Sequence, residues 1–305
     1  MPFHVKRSPR AFARRALSQA FHLGDLVAGT LRGARCPNCD AGQGTPRVRK
    51  TFPLATVYAC DGCGLYYRAT GLQGSGFARW YYSNLYTDVG IATNPELLEP
   101  SEVVAWSRRE GKDRTALVAH AMDLLAVQPP WIAVLGASWG YEVLTLRTLG
   151  LLVWGVEAAD DRRAFGVERY GVELYATIAE GVARHGPGGV IVSSHVIEHI
   201  ARLSPFIEEI HRAARPAAQL HITPRVEPLG PDTATQIGRE HPIGVTTGYW
   251  RGLARSLDSE VAHAFVQPPG TASACELVAL LVGRDALRAG SVASLDAVAS
   301  QRGTG

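Results

Sequence analysis

The sequence predicts an α/β protein: a doubly wound, mostly parallel seven-stranded sheet with a small cysteine-held module ahead of it. Three observations carry this. From about residue 130 onward, apolar runs of strand length alternate with segments of helical spacing, the pattern of parallel βαβ units. The first run leads into a turn of small residues, Gly136-Ala137-Ser138-Trp139-Gly140, and the second ends on an acid, Glu157. Four of the five cysteines fall into two Cys-x-x-Cys pairs, Cys36/Cys39 and Cys60/Cys63.

The predicted strands are Trp131–Leu135, Leu152–Val156, Val172–Tyr175, Val190–Ser193, Gln219–Thr223, Val261–Val266 and Glu276–Val282. Segments such as Glu142–Leu149 and Leu203–Ala214 supply the helices between them. Only Pro268-Pro269-Gly270 and a few small residues separate the last two strands, which suggests an antiparallel pair at one end of the sheet. Upstream, one amphipathic helix is predicted from about Ser101, as N-cap, to Val127, stopped by Pro129-Pro130. The expected organisation is a basic helical segment over 1–32, a metal module over 33–70, a connecting segment over 71–128, the nucleotide-binding domain over 129–286 and a disordered tail over 287–305.

Composition narrows the classes. With 46% hydrophobic and 19% charged residues, the chain of 305 residues has material for a sizeable core. No apolar run reaches the roughly 18 residues of a spanning helix, so no membrane partner is expected. A net charge of +3 is too small to imply nucleic acid, and no aromatic–basic interleaving for base stacking stands out. Basic residues do crowd the first fifty positions. That opening stretch has the Arg-rich character of a transit peptide, but the expected reading is a helix over about Ser8–Leu31 whose Phe12, Leu17, Phe21 and Leu26 pack on the protein's own surface. So few cysteines, spaced in this way, fit a metal site in a reducing cytoplasm rather than a disulfide scaffold.

Twenty residues separate Cys39 from Cys60, and each pair can present two sulfurs to one ion. Cys36, Cys39, Cys60 and Cys63 are therefore the predicted ligands of a tetrahedral zinc. With every ligand supplied by the protein, that zinc is structural.

The small-residue turn lets a ligand approach the backbone closely where a strand gives way to a helix. Glu157 stands where doubly wound folds place the carboxylate for ribose hydroxyls. A third cluster, Ser194-His195-Val196-Ile197-Glu198-His199, follows the fourth strand, at the edge where such sheets bind ligands.

Together with Ile222-Thr223-Pro224 and the Cys63-Gly64-Leu65 ending of the cysteine module, this motif series resembles class I S-adenosylmethionine-dependent methyltransferases that carry an N-terminal zinc ribbon. The resemblance spans Cys36 to about Arg284 and implies a class I methyltransferase-like sheet with S-adenosylmethionine as cofactor. It places Gly136, Ala137, Ser138 and Gly140 along the methionine part, Glu157 and Ala158 at the ribose, Thr177 and Ile178 beside the adenine, and Ser194 at the same site. Three positions depart from the family pattern: Val134 and Gly189 stand where acids are usual, and Ser138 replaces the middle glycine.

Methyl transfer needs a base beside the acceptor, and neutral imidazole suits that role near pH 7. His195 is the first candidate, with His241 of Glu240-His241-Pro242 the second and His199 a packed, hydrogen-bonded histidine. A helix beginning at Val196 would put His195 and His199 on one face. In some relatives a Glu-His pair like Glu198-His199 holds a divalent ion. Tyr82 and Tyr86 are candidates to line the acceptor pocket. The expected activity is methyl transfer to a small molecule, such as a sugar nucleotide or a natural-product intermediate. The altered acidic positions keep a non-methylating use of the fold open, such as cyclisation or elimination, and a zinc-ribbon adaptor is a third alternative. Assembly with copies of itself or with a partner subunit is left open.

Overall fold

Every position of the first central strand is apolar because both of its faces are covered. Ile132 and Val134 of β4 (Ile132–Leu135) join one buried layer, while Ala133 and Leu135 join the layer on the other side. The computed structural model describes residues 9–49, 56–71, 98–238, 240–266 and 275–288. Tyr82, Tyr86, Pro268-Pro269-Gly270 and the tail from residue 289 lie outside them.

Ahead of β4 come α1 (Pro9–Leu31), β1 (Thr45–Arg49), β2 (Thr56–Ala59), β3 (Tyr66–Arg68), α2 (Pro100–Arg109) and α3 (Thr115–Asp123). After it run α4 (Tyr141–Leu146), β5 (Val153–Val156), α5 (Asp160–Tyr170), β6 (Glu173–Tyr175), α6 (Ile178–His185) and β7 (Val190–Ser194). Then follow α7 (Leu203–Ala214), β8 (Ala218–Pro224), α8 (Pro231–Ala234), β9 (Ile243–Gly244), α9 (Thr247–Ser256), β10 (Ser259–Val266) and β11 (Glu276–Gly283). Seven strands form one sheet in the order β10-β11-β8-β7-β4-β5-β6. β4 through β8 are parallel, whereas β11 runs antiparallel to both β8 and β10. This is the expected class I methyltransferase-like sheet. Its order reverses at β4, so the loops after β4 and β7 meet at the switch point where doubly wound sheets bind ligands.

The cysteine module is a second, four-stranded sheet, β1-β2-β3-β9. Its last strand comes from far along the chain: Tyr66 pairs with Gly244 and Tyr67 with Ile243. Two residues after Pro242 carry no periodicity, so the sequence gives no sign of this strand. The module is held further by Asn38, whose side chain donates to Ser204 Oγ at 2.9 Å and accepts from the Ser204 amide at 2.6 Å.

Three local expectations need correction. The helix expected over Ser101–Val127 is two helices, because Gly111 turns left-handed (φ 65°) and Asp113, two residues before the second helix, accepts from the Thr115 amide at 2.9 Å. The first is capped by Glu99, whose amide donates to Glu102, and not by Ser101. On α1, Leu17 is exposed, while Phe21 and Leu26 face inward as expected, together with His22, Asp25 and Gly29. The buried pairing of Asp25 with Arg68 at 2.8 Å fixes that rotation. The side chain of Phe12 lies outside the description.

Gly189 also has a packing reason. A Cβ there would lie 2.1 Å from the buried Trp131 indole. The glycine precedes β7, at the end of the strand opposite Ser194, so an acid at this position would not face the switch point.

Candidate active site

The turn after β4 is shaped by close approaches. Gly136 has φ 63°, and a Cβ on it would lie 2.5 Å from Val196; the same atom on Gly140, φ 89°, would lie 2.7 Å from Val172. Only glycine fits either place. Ser138 is also left-handed (φ 50°), and its amide donates to Glu157 Oε2 at 2.9 Å. Glu157 Oε1 accepts from the Ala159 amide at 2.9 Å, so this buried carboxylate ties the turn after β4 to the turn after β5. Each oxygen retains lone-pair capacity for a hydroxyl. Ala137 is buried, its amide bonded to Val156, and Ala158 is half-buried beside Glu157. Thr177 is occupied as the N-cap of α6, accepting from the Glu180 amide, and Ile178 is buried behind it.

After β7 the chain turns sharply at His195 (φ 55°), and Ile197–His199 forms a single 3-10 turn. His195 and His199 therefore do not share a helical face. Arg114 and Glu276, neither anticipated as site residues, form a buried two-pronged pair at 2.9 and 2.7 Å, and Arg114 Nε donates to Ser194 Oγ at 3.2 Å. His195 Nε2 lies 2.7 Å from Glu276 Oε1, and its Nδ1 lies 3.4 Å from Glu198 Oε1. Desolvation opposes charge on this ring, but the two carboxylates outweigh it and raise the pKa to about 9. Burial likewise opposes charge on Glu276, yet His195 and Arg114 hold its carboxyl below the usual range. Carboxylates thus face both ring nitrogens of His195 and favour its charged form. Two carboxylate contacts are not the surroundings expected of a neutral general base.

Glu198, His199 and His241 converge, with one ligand atom from each lying within 4.8 Å of the others. His199 Nδ1 sits 3.0 Å from the Glu240 carbonyl and His241 Nδ1 sits 2.9 Å from that of Gln236. Bonds of this kind assign the N–H to Nδ1 and leave Nε2 as the ligating nitrogen. Burial pushes His199 down to about 4, so its ring is neutral at pH 7. Burial works against ionisation of Glu198, but His195 and the neighbouring imidazoles hold its carboxyl below the usual range. Two imidazoles, each with Nε2 free of its backbone bond, and a carboxylate are a donor set for a divalent cation, with open positions for other ligands.

His241 reaches this cluster through the cysteine module. The Arg68 amide donates to Pro242 at 3.0 Å, and the Arg68 guanidinium binds both Asp25 and the Gly238 carbonyl. Within the module, Cys36 and Cys63 sulfurs lie 3.7 Å apart and those of Cys39 and Cys60 3.5 Å apart, with all four inside 4.8 Å. A tetrahedron with Zn–S of about 2.3 Å has an edge of roughly 3.8 Å. The four cysteines therefore fit zinc, with no position left for substrate.

Some signals for the missed residues are present in the sequence. Glu276 opens an otherwise apolar strand, and Arg114 stands where a continuous helix was expected. No family model and no curated protein matches the chain. Among solved structures it is similar to the plantazolicin methyltransferase BpumL in complex with SAH, with TM-score 0.47, 8% identity, and coverage of 68% of this chain and 96% of that one. It is also similar to the SAH-bound N-terminal domain of EvdMO1 (TM-score 0.42, 16% identity, 58% and 82% covered). A third similarity is to the methyltransferase domain of bacterial CtHen1-C (TM-score 0.42, 15% identity, 56% and 97% covered).

Proposed function

We propose that the protein transfers a methyl group from S-adenosylmethionine to a small-molecule acceptor, with a sugar nucleotide or a natural-product intermediate as the favoured class. The observation that carries this is the turn from Gly136 to Gly140 at the switch point, fixed to Glu157 through the Ser138 amide. Glu157 would accept the ribose hydroxyls, and the exposed Gly136 and half-buried Ser138 would lie along the methionyl chain. Bound S-adenosylmethionine supplies an electrophilic methyl, and displacement requires the acceptor to be held in line with it. The loop after β7 and the segment carrying His241 border the same edge and would hold the acceptor there.

Glu198, His199 and His241 would hold a divalent ion, which lowers the pKa of a hydroxyl bound to it. His195, kept charged between Glu198 and Glu276, positions the Glu198 carboxylate. Arg114 clamps Glu276 and Ser194 and so fixes the edge of β7. The test is S-adenosylhomocysteine formation when the protein is incubated with S-adenosylmethionine and a panel of hydroxylated sugar nucleotides and phenols. Product that carries a methyl, with one S-adenosylhomocysteine released for each, supports the proposal. Conversion of an acceptor with none released refutes it.

A further inference from the structure

Among the described residues, no group bonds one of the carboxylate oxygens of Glu142, beside the glycine turn. Glu142 lies two residues beyond Gly140, in the first turn of α4, and its Oε1 is buried without a hydrogen bond to any described residue. Desolvation raises its pKa to about 7, and Glu276 and Asp113 add to that, against the opposing pull of Arg114 and His195. Those two cations are already bound to Glu276. A buried carboxyl oxygen with no donor costs free energy, and a cation bearing N–H groups would remove that cost.

The position of Glu142 says which cation. Glu157 ties down the β5 side of the glycine turn, where the ribose would lie. Glu142 opens the helix that follows the turn, and the charges that act on it are those of Arg114, of His195 just after β7, and of Glu276 on β11. A ligand laid along the turn with its ribose at Glu157 would bring its far end to Glu142. The acid that the resembled family places before the first glycine is here Val134, wholly buried in the sheet. Resting on the methyltransferase reading above, we infer that Glu142 binds the α-ammonium group of the methionyl portion of S-adenosylmethionine, supplying from behind the turn the carboxylate that is missing in front of it.

Glu142→Gln keeps the shape and removes the charge. Calorimetry on zinc-loaded protein would compare three ligands: S-adenosylmethionine, S-adenosylhomocysteine and 5′-methylthioadenosine, which lacks the amino-acid portion. The variant should bind the first two about 10- to 100-fold more weakly, to equal extents, and methylthioadenosine as wild type does. Its melting temperature should be no lower, because an unpartnered carboxyl has been neutralised. Unchanged affinity for S-adenosylhomocysteine overturns the inference. So does an equal loss for methylthioadenosine, which would mean a structural role, or a loss confined to S-adenosylmethionine, which would place the sulfonium at Glu142. A wild-type protein that binds none of the three overturns the methyltransferase reading itself, and this inference with it.

Discussion

Two clusters of metal-ligating side chains lie in one molecule and differ in kind. Cys36, Cys39, Cys60 and Cys63 are four thiols supplied by two adjacent turns, a closed set that reads directly from spacing. Glu198, His199 and His241 are one carboxylate and two imidazoles, brought together from the loop after β7 and from the approach to β9, an open set. The closed set builds structure, and the open set is suited to exchange. They are also coupled in one direction. β9 joins the sheet of the cysteine module, and Pro242 binds Arg68, so the module holds His241 in place.

The largest effect expected comes from breaking the closed set. Cys60→Ser should remove most of the roughly 10–16 kcal/mol that a structural zinc contributes to folding a small module. Wild-type protein should carry one zinc per chain by elemental analysis, and the variant close to none, with a much lower melting temperature. Because β9 loses its partner strand, the variant should also lose Mn²⁺ binding at the open set. Retention of Mn²⁺ binding by a zinc-free variant would break the coupling. His241→Ala probes the open set alone. Mn²⁺ affinity, read by paramagnetic resonance, should fall by about 100-fold or more, beyond the 10–100-fold cost of losing an outer partner of a ligand, while zinc content stays unchanged.

Legibility in the sequence follows the same division. All seven strands of the main sheet coincide with predicted runs to within about two residues at each end, and the central ones read most plainly because strands covered on both faces must be apolar at nearly every position. The four cysteines were legible for a similarly local reason. Arg114, Glu142 and Glu276 were not. Each depends on a contact between residues distant in sequence, or on the absence of one, and Glu276 meets Arg114 only because β11 inserts beside β8. The break at Gly111 was hidden because apolar residues with helical spacing continue on both sides of it. His195 shows the limit most clearly: its place after the fourth strand was predicted, but one of the two carboxylates at its ring, Glu276, lies some eighty positions away.

Smaller effects sharpen the contrast between the sheet edge and the core behind it. Glu157→Ala should weaken S-adenosylmethionine binding by about 1.5–3 kcal/mol, the range for hydrogen bonds to a charged group, and equal affinity in calorimetry would rule out the ribose role. In the core, His221 is held neutral: burial pushes it down to about 3, and its ring stacks on Trp250 and bonds Ser193 Oγ at 2.8 Å. Its folded pKa lies below the unfolded value, so its contribution is complete above about pH 6.5 and is lost as pH falls toward 3. That loss should be about 1.4 kcal/mol per pH unit. Urea titrations from pH 7 to pH 4 should show a slope that His221→Gln reduces, and an unchanged slope would assign the acid sensitivity elsewhere.

The reading of the glycine turn and Glu157 as a nucleoside site is tested most directly by titrating S-adenosylhomocysteine into zinc-loaded protein in a calorimeter. One molecule bound per chain, with affinity weakened by Glu157→Ala while the melting temperature of the unliganded protein shows it still folded, is the predicted result. Folded, zinc-replete protein that gives no binding heat and no thermal protection with either S-adenosylhomocysteine or S-adenosylmethionine would contradict it.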